Sequence, residues 1–236
     1  LIMHGNQATF EFGNRKTVEN EMTLDIDEWV GTDPNWGIML AFTGHAYWSE
    51  SEEAIDSYPQ PSLVLLPDMS GVNSYLGARS GHVRFTSTEP GGADLKQLKF
   101  YESANYRQYG RLVLETPAGI SSTVACSNEW FGTIGKKGLG EMTIKTTLAG
   151  HYRLRVYEGL FTLDPAAADA TMTKILIKDG GTFRLASGRS LAVATMVVEA
   201  GGRIVWPEDA TLGVTTLTLA SVGGSIIRVD EARRLT

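Results

Sequence analysis

The last third of the chain repeats one pattern of apolar and polar residues at a nearly constant interval. The segment ILIKDGGTFRLASG, residues 175–188, consists of two short runs of alternating apolar residues on either side of a glycine pair. The apolar triplets that precede the glycines begin 21 residues apart, at Leu154, Ile175, Met196 and Leu217. Self-similarity at a fixed interval is the sequence signature of a repeat architecture, in which each unit packs against its neighbours.

The glycines between the runs keep the same interval. Gly159, Gly181, Gly202 and Gly224 are 22, 21 and 22 residues apart. Each unit therefore has two β-rich runs, a glycine bend and a less regular return segment, and it has no helical periodicity. Glycine suits such a bend because it adopts a positive φ without a Cβ clash. The pattern predicts an all-β fold, and most directly a parallel β-helix, or β-solenoid.

The solenoid interpretation assigns inward positions to the repeating units. Stacked coils lie about 4.8 Å apart and line a continuous core with apolar side chains. The residues predicted to point inward are Ile175, Ile177, Phe183, Leu185, Val197, Ile204, Leu217, Leu219 and Ile226. The alternative is an antiparallel β-sandwich made of hairpins, since Asp-Gly-Gly and Ala-Gly-Gly are also hairpin turns.

The N-terminal two-thirds of the chain contains strand-like runs without a constant interval. Runs such as TFEF, GIMLAF and RLVLE are separated by clusters of Gly, Pro, Asn and Asp. We expect irregular coils with long loops, such as 47–61, within a single solenoid over residues 1–236. A soft boundary near Pro117 divides an irregular acidic part, 1–117, from regular coils, 118–236. A jelly roll before that boundary, followed by a short solenoid, is the competing architecture.

One segment resembles a known structural repeat. The chain reads FGTI from Phe131, KGLGEMTI from Lys137 and LRVYEGLFTL from Leu154. This order of glycines and apolar residues resembles the autotransporter-associated β-strand repeat, although Gly132 follows Phe131 directly and KTTLAGHY replaces the family's polar Asn/Thr stretch. The resemblance implies a right-handed parallel β-helix, secreted or displayed on a bacterial cell surface as part of a passenger domain. It implies no catalytic residues, so the expected role is display or adhesion.

Charge and composition argue against some kinds of binding partner. Residues 1–70 carry twelve Asp and Glu against two Lys and Arg, whereas the remainder carries fifteen against nineteen. Phosphate binding needs clustered Lys and Arg, so we expect no nucleic-acid partner. No apolar run approaches 18 residues, which predicts no membrane span in this chain. The single cysteine, Cys126, forms no internal disulfide and is predicted to be a small buried hydrophobe.

Aromatic residues in the acidic part are the best candidates for ligand binding. The candidate residues are Trp36, His45, Tyr47, Trp48 and Tyr58. Flat aromatic faces beside hydrogen-bonding acids suit sugar rings, so we hypothesise contact with glycans or other molecules of a host or cell surface. The alternative is that these side chains fill an irregular core.

Carboxylates near the N-terminus are the candidate metal ligands. Asp25 and Asp27 are two residues apart and share one face of a predicted strand. With Asp33 they could bind Ca²⁺, which takes oxygen ligands, and no other cofactor is expected. The alternatives are a solvated outer face or the acids of a polysaccharide lyase or glycoside hydrolase on a β-helix scaffold. General acid–base catalysis requires two carboxyl groups whose pKa values differ. No Lys or Arg adjoins Asp25 and Asp27 in the sequence to separate their pKa values.

Overall fold

A computed structural model describes the chain most fully in its C-terminal half. The backbone is described over residues 111–126, 133–146 and 152–220, and elsewhere for individual strands. Side chains are described over 115–123, 134–146 and 153–220.

All the described secondary structure is β-strand. The strands are β1 (Ile2–His4), β2 (Ala8–Phe12), β3 (Thr23–Asp25), β4 (Glu28–Val30), β5 (Ile38–Phe42), β6 (Ser62–Leu65), β7 (Tyr75–Ala78), β8 (His82–Ser87), β9 (Gln97–Leu98), β10 (Arg111–Glu115), β11 (Ser121–Cys126), β12 (Thr133–Lys137), β13 (Glu141–Thr146), β14 (Tyr152–Val156), β15 (Gly159–Pro165), β16 (Thr171–Ile177), β17 (Gly181–Leu185), β18 (Ser190–Val198), β19 (Arg203–Trp206), β20 (Thr211–Leu219) and β21 (Ile226–Val229).

Consecutive strands alternate between two large sheets, which is the topology of a solenoid. A nine-stranded sheet, here the long sheet, has the order β20-β18-β16-β14-β12-β10-β8-β6-β3. A six-stranded sheet has the order β11-β13-β15-β17-β19-β21, and smaller sheets pair β2-β5-β7-β9 and β1-β4. Every pairing between the described strands is parallel. The fold is therefore an all-β parallel solenoid rather than a sandwich of hairpins.

The repeat seen in the sequence is the register of the long sheet. Leu154 pairs with Ile175, Ile175 with Met196, and Met196 with Leu217. The 14-residue segment 175–188 thus forms β16 and β17, which belong to different sheets and do not pair with each other. Within the described part of the chain, no helix has the length and apolarity that a membrane span requires.

Each regular coil has three sides, because its longest strand bends. In β18, Leu191 and Val193 are buried, and so are Met196 and Val198. Two neighbouring positions between these pairs, Ala194 and Thr195, break the alternation and are not buried. If the side chains of β18 alternated strictly between the two faces, one of these two pairs would point away from the core. The bend lets both halves of β18 line the same core.

One of the predicted inward positions is wrong. Val197 pairs with Leu176 and lies half-exposed between the buried Met196 and Val198. The backbone of Ile226 pairs with that of Arg203, but the side chain of Ile226 lies outside the described residues, so its inward position stays a prediction. The other predicted positions lie in the inward rows, although Leu219, on the last described strand of the long sheet, is 46% exposed.

Glycines in the left-handed conformation turn the chain from the long sheet into the six-stranded sheet. Gly138, Gly159, Gly180 and Gly201 have φ values of 77°, 67°, 80° and 80°. At Gly159 a Cβ atom would also collide with the carbonyl oxygens of Gly138 and Gly140 in the preceding coil. Glycine is therefore required there both by its own backbone angle and by the close stacking of the coils.

Candidate functional site

Most residues singled out from the sequence lie outside the described residues. These are Trp36, His45, Tyr47, Trp48 and Tyr58 among the sugar-binding candidates, and Asp27 and Asp33 among the calcium ligands. Asp25 ends β3, where its backbone pairs with Val64. Both hypotheses therefore stay predictions. Among the described residues, no group of three His, Cys, Asp or Glu side chains lies close enough together to hold a metal ion.

The most unusual group in the described core is a buried lysine. Lys136 lies in β12 between Leu114 and Val156, so it occupies the inward row that Ile177 and Val198 continue. Its side chain is completely buried, with 0% exposure. Its neighbour Lys137 points the other way and is only half-buried.

The Lys136 ammonium group is held by backbone carbonyls at the corner of the coil. Nζ donates to the oxygens of Lys137 and Gly138 at 2.6 and 2.5 Å, and to Glu158 of the next coil at 3.3 Å. One cation thus bonds to two successive corners. These bonds offset part of the free energy that is lost when an ammonium group leaves water.

Burial nevertheless changes the acidity of this lysine. It lowers the pKa of Lys136 from 10.5 to about 8, because the charged form is poorly solvated. The negative charges of Glu158 and Glu115 oppose the shift without cancelling it. Because the amine is enclosed and hydrogen-bonded, a polymer or a bulky substrate cannot reach it, and its role is structural.

Two hydroxyl groups make the interior of the preceding coil, which contains β10 and β11, polar as well. Thr116 Oγ1 and Ser122 Oγ are buried and have no hydrogen-bond partner among the described residues. Ser122 lies in the inward row that continues through Met142 and Phe161. A buried hydroxyl without a partner costs roughly 1–3 kcal/mol. These two groups therefore destabilise the interior of that coil.

One surface available to a partner is the outer face of the six-stranded sheet. It has three rows of outward positions, and the row of Lys145 and Asp164 lies nearest the end of the strands. Of the other two rows, one contains Ser121, Glu141, Leu160, Thr182 and Arg203, and the other contains Thr123, Thr143, Thr162, Arg184 and Val205. None of these residues is aromatic.

Hydrogen bonds between coils order the polar side chains of this region. Arg184 Nε donates to Thr162 Oγ1 of the preceding coil at 2.9 Å, and covers it, since Thr162 is 6% exposed. Next to this pair, Arg189 forms an ion pair with Asp164 at 2.6 Å. These contacts connect neighbouring coils and fix the stem of Arg184.

Arginines dominate the last three strands of the outer face. Arg184 in β17 and Arg203 in β19 lie on adjacent strands, and Arg228 in β21 pairs with Val205, in the same row as Arg184. We call Arg184, Arg203 and Arg228 the arginine cluster. The outward positions of these three strands hold no carboxylate.

The arginine cluster was not among the residues singled out from the sequence, although a signal for it exists there. Once Phe183 and Ile204 are placed inward, alternation along each run places Arg184 and Arg203 outward. The basic excess of residues 71–236 also pointed to this half of the chain.

Comparisons with known proteins place the chain in no family. No family model matches it, and neither the curated proteins nor the solved structures include a significant match.

Proposed function

We propose that this chain is a non-catalytic β-solenoid segment of an autotransporter-like passenger, secreted or displayed on a bacterial cell surface. Its role is display or adhesion, with glycans as the partners. The resemblance of residues 131–163 to the autotransporter-associated repeat supports the location, and the stacked coils support the role.

The observation that carries the proposal is the uniform stacking of the coils. From β14 to β20 the long sheet keeps one inward row, Leu154, Ile175, Met196 and Leu217, and its strands are joined by parallel ladders. Each added coil extends such a solenoid by about 4.8 Å and adds another row of outward side chains. A protein built in this way extends away from its anchor and presents a long, regular surface.

The described polar clusters support binding rather than chemistry. Lys136 bonds to backbone carbonyls inside the core, and Arg189 bonds to Asp164. These groups stabilise the coils. The exposed side chains of the outer face are suited to making contacts with a partner.

The first test compares binding with cleavage. Purified chain on beads is offered a panel of neutral and acidic polysaccharides, and the release of new reducing ends is followed in parallel. We expect capture of at least one polysaccharide without new reducing ends, and the same capture by the Asp25→Asn/Asp27→Asn variant. Cleavage that this variant loses would identify a lyase or hydrolase, and capture of no polysaccharide would overturn the adhesive role.

The second test concerns location. The chain is placed between a secretion signal and an outer-membrane anchor in a Gram-negative bacterium, and its accessibility to added protease is measured on intact cells. We expect the chain to reach the surface folded. Retention inside the cell envelope would contradict the proposal.

A further inference from the structure

We propose that the arginine cluster on the outer face of the six-stranded sheet binds a linear acidic polysaccharide. This inference rests on the adhesive function proposed above and specifies the class of glycan.

The spacing of the cluster fits a linear polymer that runs along the solenoid axis. Arg184, Arg203 and Arg228 lie on β17, β19 and β21, which are successive strands of one parallel sheet. Neighbouring strands are about 4.8 Å apart, and Arg184 and Arg203 lie on adjacent strands in the two neighbouring outward rows. A chain of acidic sugars lying across the strands would meet each arginine in turn.

The two arginines with described side chains have donors to spare. Arg184 uses Nε for its bond to Thr162, which leaves four of its five N–H donors for an anion. Arg203 is exposed. Guanidinium groups bind carboxylates and sulfates through paired N–H bonds, which are stronger than bonds between neutral groups.

The nearby carboxylates that have described contacts are engaged elsewhere. Asp164 bonds to Arg189, Asp209 accepts a hydrogen bond from Ser187 at 2.6 Å, and Glu199 pairs with Lys178 at 3.1 Å. Among the described residues, no carboxylate forms an ion pair with Arg184 or Arg203, so both positive charges can act on a partner.

The composition of the outer face favours a polysaccharide over a nucleic acid. Single-stranded nucleic acids bind largely by stacking their bases on aromatic side chains. The aromatic residues of β15, β17 and β19 are Phe161, Phe183 and Trp206, and all three are buried in the core. Beside the arginines the face instead presents Thr182, which pairs with Arg203 and whose hydroxyl group both donates and accepts hydrogen bonds, as sugar hydroxyls do.

The test uses polygalacturonate, which carries one carboxylate on each sugar, and its fully methyl-esterified form, which has the same backbone without charge. We expect the chain to bind polygalacturonate, more weakly as salt is added, and not the ester. The Arg184→Ser/Arg203→Ser variant should bind at least about tenfold more weakly, because it loses two charge-assisted contacts. Adding Arg228→Ser should weaken binding further.

A matched variant removes the same charge from the other large sheet. Arg153 and Lys174 pair with each other on β14 and β16, at outward positions of the long sheet. The Arg153→Ser/Lys174→Ser variant should keep its affinity within about threefold, since only non-specific attraction is reduced. A single cooperative thermal unfolding transition in both variants shows that they are folded.

Several outcomes would overturn the proposal. They are absence of binding to polygalacturonate, equal losses in the two variants, and binding of oligothymidylate with equal affinity and equal dependence on Arg184 and Arg203. Capture of neutral glycans alone would refute this inference and leave the adhesive function standing. If the chain cleaves polysaccharides, the Asp25→Asn/Asp27→Asn background still reports whether the arginine cluster binds them.

Discussion

The coils from β14 to β20 and the coil that contains β12 share one backbone arrangement but differ in their interiors. In the regular coils the inward row at the end of each long-sheet strand is aliphatic, with Val156, Ile177 and Val198 all at 0% exposure. In the β12 coil the same row holds Lys136, and the corner of the preceding coil holds the buried hydroxyl of Thr116.

This difference shows how much polarity one coil of a solenoid tolerates. The parallel ladder continues through β10, β12 and β14 although one inward side chain is charged. Contacts in a solenoid are mainly between neighbouring coils. The free energy lost by burying a charge in one coil therefore affects only a few contacts and does not disrupt the stack. Lys136 is accommodated because the corner carbonyls solvate its ammonium group, a possibility that the middle of a side does not offer.

The largest effect is expected from placing an unpaired charge in a regular coil. Ile177→Asp buries a carboxylate that no cation neutralises, so the free energy of unfolding should fall by more than about 4 kcal/mol. Chemical denaturation should show loss of the C-terminal coils. Leu176→Asp, at the adjacent half-exposed position, is the control and should cost about 1 kcal/mol or less. Equal stability of Ile177→Asp and the unmodified chain would refute the inward assignment.

Replacing different corner glycines by alanine should reduce stability by different amounts, which tests how closely the coils stack. Gly159→Ala introduces a Cβ against two carbonyl oxygens in addition to an unfavourable φ, and should cost about 3–4 kcal/mol. Gly180 has nearly the same backbone angle, but nothing lies within 4 Å of its added Cβ. Gly180→Ala should therefore reduce stability by only about 1–2 kcal/mol, because only the positive φ is unfavourable for alanine there. Equal losses would mean that the coils do not pack as closely at Gly159 as described.

The buried lysine should make the stability of the chain depend on pH. The pKa of Lys136 is lower in the folded chain, about 8, than the usual 10.5. Between these values the unfolded chain binds more protons, so folding becomes more favourable as pH rises. Relative to Lys136→Met, the unmodified chain should gain up to about 3 kcal/mol between about pH 7 and about pH 10.5.

Denaturation of both proteins across this range measures the effect. Lys137→Met is the matched control, because Lys137 is the neighbouring half-buried lysine and shows no such enclosure. Its stability should follow that of the unmodified chain at every pH. Parallel curves for the unmodified chain and Lys136→Met would contradict the burial of this ammonium group.

The smallest effect should be a gain in stability. Ser122→Ala removes a buried hydroxyl that has no partner, so the chain should become about 1 kcal/mol more stable. Ser121 is exposed and donates to Glu141 at 3.3 Å, so Ser121→Ala should change stability by no more than about 0.5 kcal/mol. Thermal unfolding distinguishes the two, and a loss of stability in Ser122→Ala would show that its hydroxyl is satisfied.

The wrong inward position, Val197, shows where sequence reasoning was insufficient. The run Met196-Val197-Val198 is apolar throughout, so alternation alone does not say which residues face the core. The break in alternation at Ala194 and Thr195 decides it. The register of β21 also did not follow from the repeat, because the pairing of Arg203 with Ile226 offsets β19 and β21 by 23 residues rather than by the usual 21 or 22.

The candidate site shows a similar division. Alternation around Phe183 and Ile204 suffices to place Arg184 and Arg203 on the outer face. That they lie side by side on adjacent strands of one sheet follows only from the register of β17 with β19. The sequence predictions for Trp36, Asp25 and their neighbours concern a different part of the chain and remain to be tested by the binding experiments.

The amino-acid sequence by itself determined the repeat length, the strand runs, the glycine bends and the class of fold, because these depend on short-range alternation and on backbone angles. Tertiary structure decided which of two adjacent lysines is buried. Lys136 and Lys137 are identical in local chemistry, and only the pairing of β12 with β10 and β14 turns Lys136 into the core. One of the carbonyls that stabilise its charge, that of Glu158, lies 22 residues beyond Lys136 in the sequence and meets it only when the coils stack.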